Sequence, residues 1–432
     1  MNQINIAENI IKKLRDAGAD ECECRVTDNQ VTELYYESGK ISMMRTNINT
    51  GIAIKAIKDK KKGVVSLNAI DSESIEKAIT QVMQATYSAT PDEANGISDQ
   101  KIIKEHQAGI FEADKDAMYT NMDTFLKEVK QRYPKISFDS ISAEHLLSDS
   151  IYLNSNGTQL SDKKGMYSFG AMFMAVEDNI TSSFNSVETM FYDINKPFLT
   201  LPGTKQTLWE TEQQIRTISL PGKTEMDVII APNCLEEILS SLEDNFLSDD
   251  VLINGTSLFK DKIGCPVAQD KVNLYCKPLD KDIVNGYVFT QDGYIAENMP
   301  LIEHGILKNF VLSRYGAKRT GLPRSQNYGG CYVMEPGDIS LEKMIECTRN
   351  GVLLNRLSGG TPGVDGDISG VIKNSFLIQD GKISNALSET MLSANLVKML
   401  TNIKQISSET LCDGSFKLPW VKFGGITISG KD

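Results

Sequence analysis

Histidine is the scarcest chemistry-bearing residue in this sequence: there are three in 432 residues, His106, His145 and His304. No two stand close enough for a local metal motif, so a helical HExxH-type zinc site cannot be written anywhere in the chain. Basic charge is also short. With 45 Lys+Arg against 57 Asp+Glu the formal net charge is −12, and the basic clusters whose counterion release drives nucleic-acid binding are missing. The one basic cluster, Lys58 with Lys60, Lys61 and Lys62, suits a solvated hairpin tip. No apolar run approaches the roughly 20 residues of a membrane-spanning helix. Met1 to Ile11 lacks the basic stretch and apolar core of a signal peptide. The expectation is a cytoplasmic protein with neither nucleic acid nor membrane as partner. A GxSxG nucleophile turn, a Walker A loop and a GxGxxG fingerprint after a strand are absent too.

What is present reads as an ordinary globular chain, 41% hydrophobic and 24% charged. Its length suggests two or three domains. Eight cysteines are scattered along it, as expected of small buried hydrophobes in a reducing compartment. Cys22 and Cys24 alone lie close, and a lone CxC without a second pair is no zinc signature.

Periodicity assigns an α+β fold. Ile6, Ile10, Ile11, Leu14 and Ala17 make one face of an opening helix that Gly18 ends. Alternation then predicts a meander of strands at Glu21–Val26, Val31–Tyr36, Lys40–Arg45, Gly51–Lys58 and Val64–Leu67. Helices follow at Ser72–Gln84 and Asp114–Arg132. Strands resume at Ile136–His145, Ile151–Asn154 and Met166–Glu177. We divide the chain into an α+β domain over 1–192, a connection over 193–222 that has room for a helix, and a β-rich, barrel-like domain over 223–432. In the last, Asn285-Gly286, Asp292-Gly293, His304-Gly305, Asp380-Gly381 and Asp413-Gly414 mark turns. Short strands are expected between them, as at Gly286–Thr290 and Ile306–Leu312, in an antiparallel arrangement. Helices are expected there at Asn233–Leu247, Ser340–Asn350 and Ser388–Leu400.

The chemistry-bearing residues mostly have structural readings. His304 fits the left-handed position of a tight hairpin, His145 the end of a strand, and His106 a polar connection. The run Ser358-Gly-Gly-Thr-Pro-Gly363 with Asp365-Gly-Asp367 is a candidate ligand loop, since its glycines let backbone N–H groups approach a peptide closely. Its candidate binding residues are Gly359, Gly360, Gly363 and Asp367, joined by Cys412.

An ordered set of short motifs resembles the TldD/PmbA family, whose members carry the labels modulator of DNA gyrase and microcin-processing peptidase. The matching stretches are Ile229-Ile-Ala-Pro232, Gly255-Thr-Ser-Leu-Phe259, Lys262-Ile-Gly264, Gln291-Asp-Gly293, Leu301-Ile-Glu-His-Gly-Ile-Leu-Lys308, Gly359-Gly360 with Gly366-Asp367, and Leu411-Cys412 through Pro419. The resemblance implies dimers. It also implies that TldD-type members hold zinc with an HExxxH helix and a later cysteine, while PmbA- or TldE-type members lack the histidines. Counting back from Gly255-Thr-Ser257, the HExxxH positions fall on Ser240 to Asn245, so Ser240 and Asn245 replace the histidines and Ser241 the glutamate. Glu243 lies two residues further on, about 200° around the helix, and cannot simply take over as base. Cys412 falls where the family's cysteine lies. One cysteine does not hold a catalytic zinc, so the chain itself is expected to carry no cofactor. Zinc would sit in a TldD-type partner, and the shared substrate would be an unfolded or extended peptide. Two alternatives stay open: a self-sufficient homodimer that binds peptides without cleaving them, and a hydrolase with Cys412 or Cys265 as nucleophile and His145 or His304 as base.

Overall fold

The computed structural model describes residues 3–360 and 362–430, and in it the α+β expectation holds: helices flank one sheet and a second, larger sheet fills the carboxy-terminal half. Helix α1 (Gln3–Asp16) buries Ile6, Ala7, Ile10 and Leu14. The meander that follows has fewer and longer strands than alternation suggested. The first two pairs of predicted strands fuse into β1 (Glu21–Glu37) and β2 (Lys40–Lys58). The polar stretches Asp28–Gln30 and Thr46–Thr50 do not break these strands. They are instead mid-strand positions: Asp28–Gln30 is paired on both sides, with β2 and with Ile136–Asn154, and Thr46–Thr50 on one side, with β1. Strand β3 (Lys61–Leu67) turns back through Asp59 and Lys60, both at positive φ.

Helices α2 (Ser72–Ser88) and α3 (Lys115–Arg132) start where Asp71 and Asp114 accept hydrogen bonds from Ser74 and Ala117 backbone N–H groups. Between them β4 (Ile103–Gly109) makes a strand of the stretch expected to be a plain connection. Strands β5 (Ile136–Asn154) and β6 (Gln159–Glu177) complete the sheet order β3-β2-β1-β5-β6-β4, with β7 (Ile180–Thr181) and β8 (Asn185–Phe191) also pairing β6. One face carries the core under α1 and α2 at one end (Cys22, Cys24, Val26, Ile52, Ile54) and under α3 at the other (Leu34, Tyr167, Phe169, Phe173). Residues 193–222 contain a 3-10 turn, Phe198–Thr200, and helix α4 (Thr204–Gln213).

The carboxy-terminal sheet has fourteen strands among the described residues. It is mixed rather than antiparallel. Lys223–Ile230 pairs parallel with Asn350–Leu354 and antiparallel with Lys417–Ser429. Ala231 alone separates that first strand from helix α5 (Pro232–Phe246), where Pro232 suits the first turn because its missing N–H has no acceptor there. Leu235, Leu239, Leu242 and Phe246 form the buried stripe of α5 against Val228 and Ile230. Two expected helices are corrected. Ser340–Asn350 shrinks to Leu341–Glu346, and Ser388–Leu400 divides into strand Met391–Asn395 and the short helix Leu396–Thr401, which starts at Asn395. Apolar content alone does not distinguish helix from strand in so short a run. Gly286–Thr290 forms no strand, and the strand in Ile306–Leu312 stops at Leu307. The His304-Gly305 and Asp380-Gly381 turns do form, all four residues having positive φ.

Candidate functional site

Helix α5 carries the positions singled out by motif order, and its two polar flanks have different partners. Ser240 donates to Glu236 Oε1 at 2.9 Å, and Asn245 donates to the Ser241 carbonyl at 2.8 Å. The Asn245 amide nitrogen thus bonds within the helix, while the Ser240 hydroxyl also interacts with Tyr332. Glu236, Ser240 and Glu243 are spaced i, i+4, i+7, which aligns them on one face. Glu243 accepts from the Tyr332 hydroxyl at 2.8 Å and from the Gly330 N–H at 3.2 Å. Burial pushes its carboxyl up to about 7, against the pull of those two hydrogen bonds. Burial raises the Glu236 carboxyl too. It also raises Asp413 to about 6, although Asp413 accepts from the Ser415 and Phe416 N–H groups.

The loop that meets Glu243 is tightly specified. Gly329 has φ +86°, and a Cβ there would lie 1.9 Å from Glu243 Oε1. Cys331 holds φ +48°, uncommon for a residue with a Cβ. Its thiol is pushed up to about 11 by burial, while the nearby Lys164 charge pulls the other way. Tyr287 donates to the Gly329 carbonyl at 2.7 Å and stacks on Tyr328 with ring centroids 3.8 Å apart.

These groups lie at the seam between the two sheets. Lys164 of β6 reaches the Gly286 carbonyl, and burial lowers its ammonium below the usual lysine range. Arg25 of β1 donates to the Thr290 and Gln291 carbonyls at 3.3 Å each. The Met190 N–H of β8 donates to the Asp413 carbonyl at 2.7 Å. A cavity of about 200 Å³ opens here, lined among others by His106, Asp162, Lys164, Tyr192 and Tyr287. A larger cleft of about 910 Å³ lies by Lys271, Ser340, Lys404 and Ile406, towards the opposite end from Cys412 of strand Ile403–Cys412.

The residues selected from sequence are not gathered at one point. Gly359, Gly360, Gly363 and Asp367 belong to the hairpin joining Arg356–Ser358 to Asp367–Lys373, with Thr361 outside the described residues. That hairpin satisfies itself: the Gly363 N–H donates to the Asp367 carbonyl, and Asn395 donates to Asp367 Oδ1 at 2.8 Å. A Cβ on Gly366 would lie 3.2 Å from the Phe246 ring, at the carboxy-terminal end of α5. Cys412 donates to the Asp282 carbonyl at 3.3 Å, and burial raises its thiol. His145 is wholly buried in the middle of β5 rather than at a strand end, with Nε2 2.8 Å from the Ile110 carbonyl. His106 pairs with Asp162 at 2.8 Å, and His304 is exposed on its turn. The described residues contain no cysteine–histidine hydrogen bond, the contact a cysteine hydrolase requires. Sequence reasoning named Glu243 only to set it aside as a base, and missed Tyr332, Cys331 and Lys164. The available signals were the Glu236, Ser240, Glu243 spacing and the glycine pair before Cys331.

The comparisons with known proteins agree with this architecture. Residues 223–430 match the family model described as the PmbA/TldA metallopeptidase C-terminal domain, and residues 22–86 match domain 1 of the same family. The chain belongs to the PmbA/TldD family. A metalloprotease of Methanocaldococcus jannaschii is 22% identical over 92% of each chain. The metalloprotease PmbA of Escherichia coli O157:H7 is 20% identical over 94% of this chain and 92% of its own. The crystal structure of TldE from Thermococcus kodakarensis superposes with a TM-score of 0.86 at 21% identity, covering 98% of this chain and 99% of that one. The shared fold thus spans 98% of this chain. Family members named metalloproteases imply a metal, and α5 does not fit one. Ser240 donates to Glu236 and Asn245 to the Ser241 carbonyl, and no three His, Cys, Asp or Glu side chains among the described residues converge to hold an ion.

Proposed function

We propose that this chain is a PmbA/TldE-type subunit of a cytoplasmic peptide-processing metallopeptidase, contributing structure and peptide contacts while a TldD-type partner supplies the zinc. The observation that carries the reading is α5. In the register set by Gly255-Thr-Ser257, Ser240, Ser241 and Asn245 occupy the HExxxH positions, and the side chains of Ser240 and Asn245 bond within their own helix. The names of the relatives support peptide chemistry, and the TldE structure supports a place for chains of this shape in the same family.

On this reading the wall offered to an extended peptide is the seam between the sheets. Tyr287 and Tyr328 give a flat apolar surface, Lys164 a cation, and the exposed residues Gly359, Gly360, Gly363 and Asp367 with Cys412 the flanking backbone. Main-chain hydrogen bonding to strand edges would give affinity without strong sequence preference. The test is metal analysis with a peptidase assay on the purified chain, alone and mixed with a TldD-type chain. The expected result is no stoichiometric zinc and no cleavage alone, with cleavage in the mixture abolished by a chelator. Stoichiometric zinc in the isolated chain with chelator-sensitive cleavage would overturn it.

A further inference from the structure

Alternation along β6 puts Asp162 and Lys164 on one face, and the parallel register with β4 sets His106 beside Asp162 and Ala108 beside Lys164. Residues 278–288 of the carboxy-terminal half close over this face to make the cavity of about 200 Å³ at the seam. That segment is a run of turns: the Ile283 N–H donates to the Asp280 carbonyl, and a Cβ on Gly286 would lie 1.9 Å from the Pro278 carbonyl oxygen. Two partly buried charges on the cavity wall lack a counter-charge. Lys164 donates to the Gly286 carbonyl and, among the described residues, forms no ion pair. Asp162, whose charge reaches it, is committed to His106 at 2.8 Å. The Asp280 carboxylate accepts the Asp282 N–H at 3.0 Å and likewise forms no ion pair among the described residues. Lys417, whose charge reaches Asp280, pairs with Asp282 at 2.7 Å. A cation or an anion withdrawn from water with no opposite charge beside it is costly. Lys281, also on the wall, is exposed and keeps its water.

We infer that this cavity binds a free aliphatic α-amino acid as its zwitterion, Lys164 taking the carboxylate and Asp280 the ammonium. Each ligand charge supplies what one wall residue lacks. A plain anion would satisfy Lys164 and leave Asp280 facing it, and a plain cation would do the reverse. Size sets the next limit. Pockets for drug-sized ligands begin at roughly 300 Å³, so this space takes one amino acid rather than a stretch of peptide. The rest of the wall includes Ala108, Pro278, Ile283 and Val288, with Pro278 and Ile283 buried. Such a surface rewards burial of an aliphatic side chain such as that of leucine. The inference rests on the proposed function only in its reading of the seam as a ligand-facing wall, and not on where zinc sits.

The experiment is isothermal titration calorimetry on the full chain, with neither zinc nor a TldD-type partner, and L-leucine as the probe. Leucine should bind at one site per chain. N-acetyl-leucine, which lacks the ammonium, and leucinamide, which lacks the carboxylate, should each bind more weakly by about tenfold or more. These blocked ligands test the natural chain and need no variant to fold. Lys164→Met and Asp280→Asn should each weaken leucine by about tenfold or more with an unchanged circular dichroism spectrum. Lys163→Gln, whose lysine lies 3.8 Å from Asp149 and off the cavity wall, should bind leucine as the natural chain does. No binding of leucine at millimolar concentration, either blocked ligand binding as well as leucine, or both cavity variants binding leucine unchanged would overturn the assignment. Zinc and cleavage do not enter the measurement, so its failure is distinct from failure of the subunit reading.

Discussion

Replacing Glu243 with glutamine tests the electrostatics of the α5 seam in one residue. The Glu243 carboxyl sits at about 7 in the fold against an ordinary 4.5. A carboxyl raised on folding means that the native state binds more protons than the unfolded chain between those two values. Stability from this group is therefore greatest below the unfolded pKa and is lost as pH rises through 7. Integrating the proton difference between pH 5 and pH 8 gives a loss of about 2.5 kcal/mol. Glutamine keeps an acceptor for the Tyr332 hydroxyl and the Gly330 N–H but does not ionise. Glu243→Gln should therefore be close to wild type at pH 5 and more stable than wild type at pH 8, with a double difference near that magnitude. Urea unfolding of both proteins at both pH values, followed by the two tryptophans, measures it. The pH difference within each protein is the quantity to compare, since Glu210, raised to about 7 by burial, and Asp413 add slopes of the same sign to both. Equal destabilisation of the variant at both pH values would mean that packing, and not ionisation, dominates, and would refute the reasoning.

Arg324→Ala should destabilise the protein by about 3 kcal/mol in the same assay, because it strands a buried charge. Asp292 pairs with Arg324 at 3.0 Å and also accepts from the Arg314 N–H. Burial alone would raise the Asp292 carboxyl, but Arg324 outweighs it and holds the carboxyl below its usual range, so this contribution should fade as pH drops through that lowered value. Gly305→Ala should cost more than about 1 kcal/mol, since φ is +72° and the added Cβ would lie 2.5 Å from the Ala268 carbonyl oxygen. His304→Gly at the preceding left-handed position should be tolerated, which thermal unfolding checks. Cys412, half-buried and engaged with Asp282, should react with iodoacetamide far more slowly than the exposed Cys347; peptide mass mapping reads the order of labelling, and the reverse order would show that Cys412 is an activated thiol.

Local signals carried the helices well. The Ile6, Ile10, Leu14 stripe and the aspartates before α2 and α3 are information within one turn of chain, and all three helices form where they point. The strands were legible as strands but not in length, because the polar centre of β1 is held by cross-strand bonding to residues more than a hundred positions away and that of β2 by pairing with β1. The parallel pairing of Lys223–Ile230 with Asn350–Leu354 is likewise non-local. At the site, motif order picked out α5, but spacing along one helix does not say which loop will face it. Glu243 meets Gly329, Gly330 and Tyr332 through a contact spanning nearly ninety positions, and Lys164 comes from the other sheet. Cys412 and the 359–367 hairpin were chosen as candidates and lie on separate flanks of the region.

The two polar flanks of α5 are fitted to different partners. The flank that includes Ser241 and Asn245 closes on its own backbone, while the face of Glu236, Ser240 and Glu243 is fitted to another part of the chain. Gly329 admits no Cβ because Glu243 is there, and Glu243 stays buried because Tyr332 and the Gly330 N–H satisfy it. Each of these residues constrains the next, and none of the constraints involves a metal ligand. A buried carboxyl near neutrality costs stability above pH 7, and a chain selected for stability alone would place glutamine or leucine there.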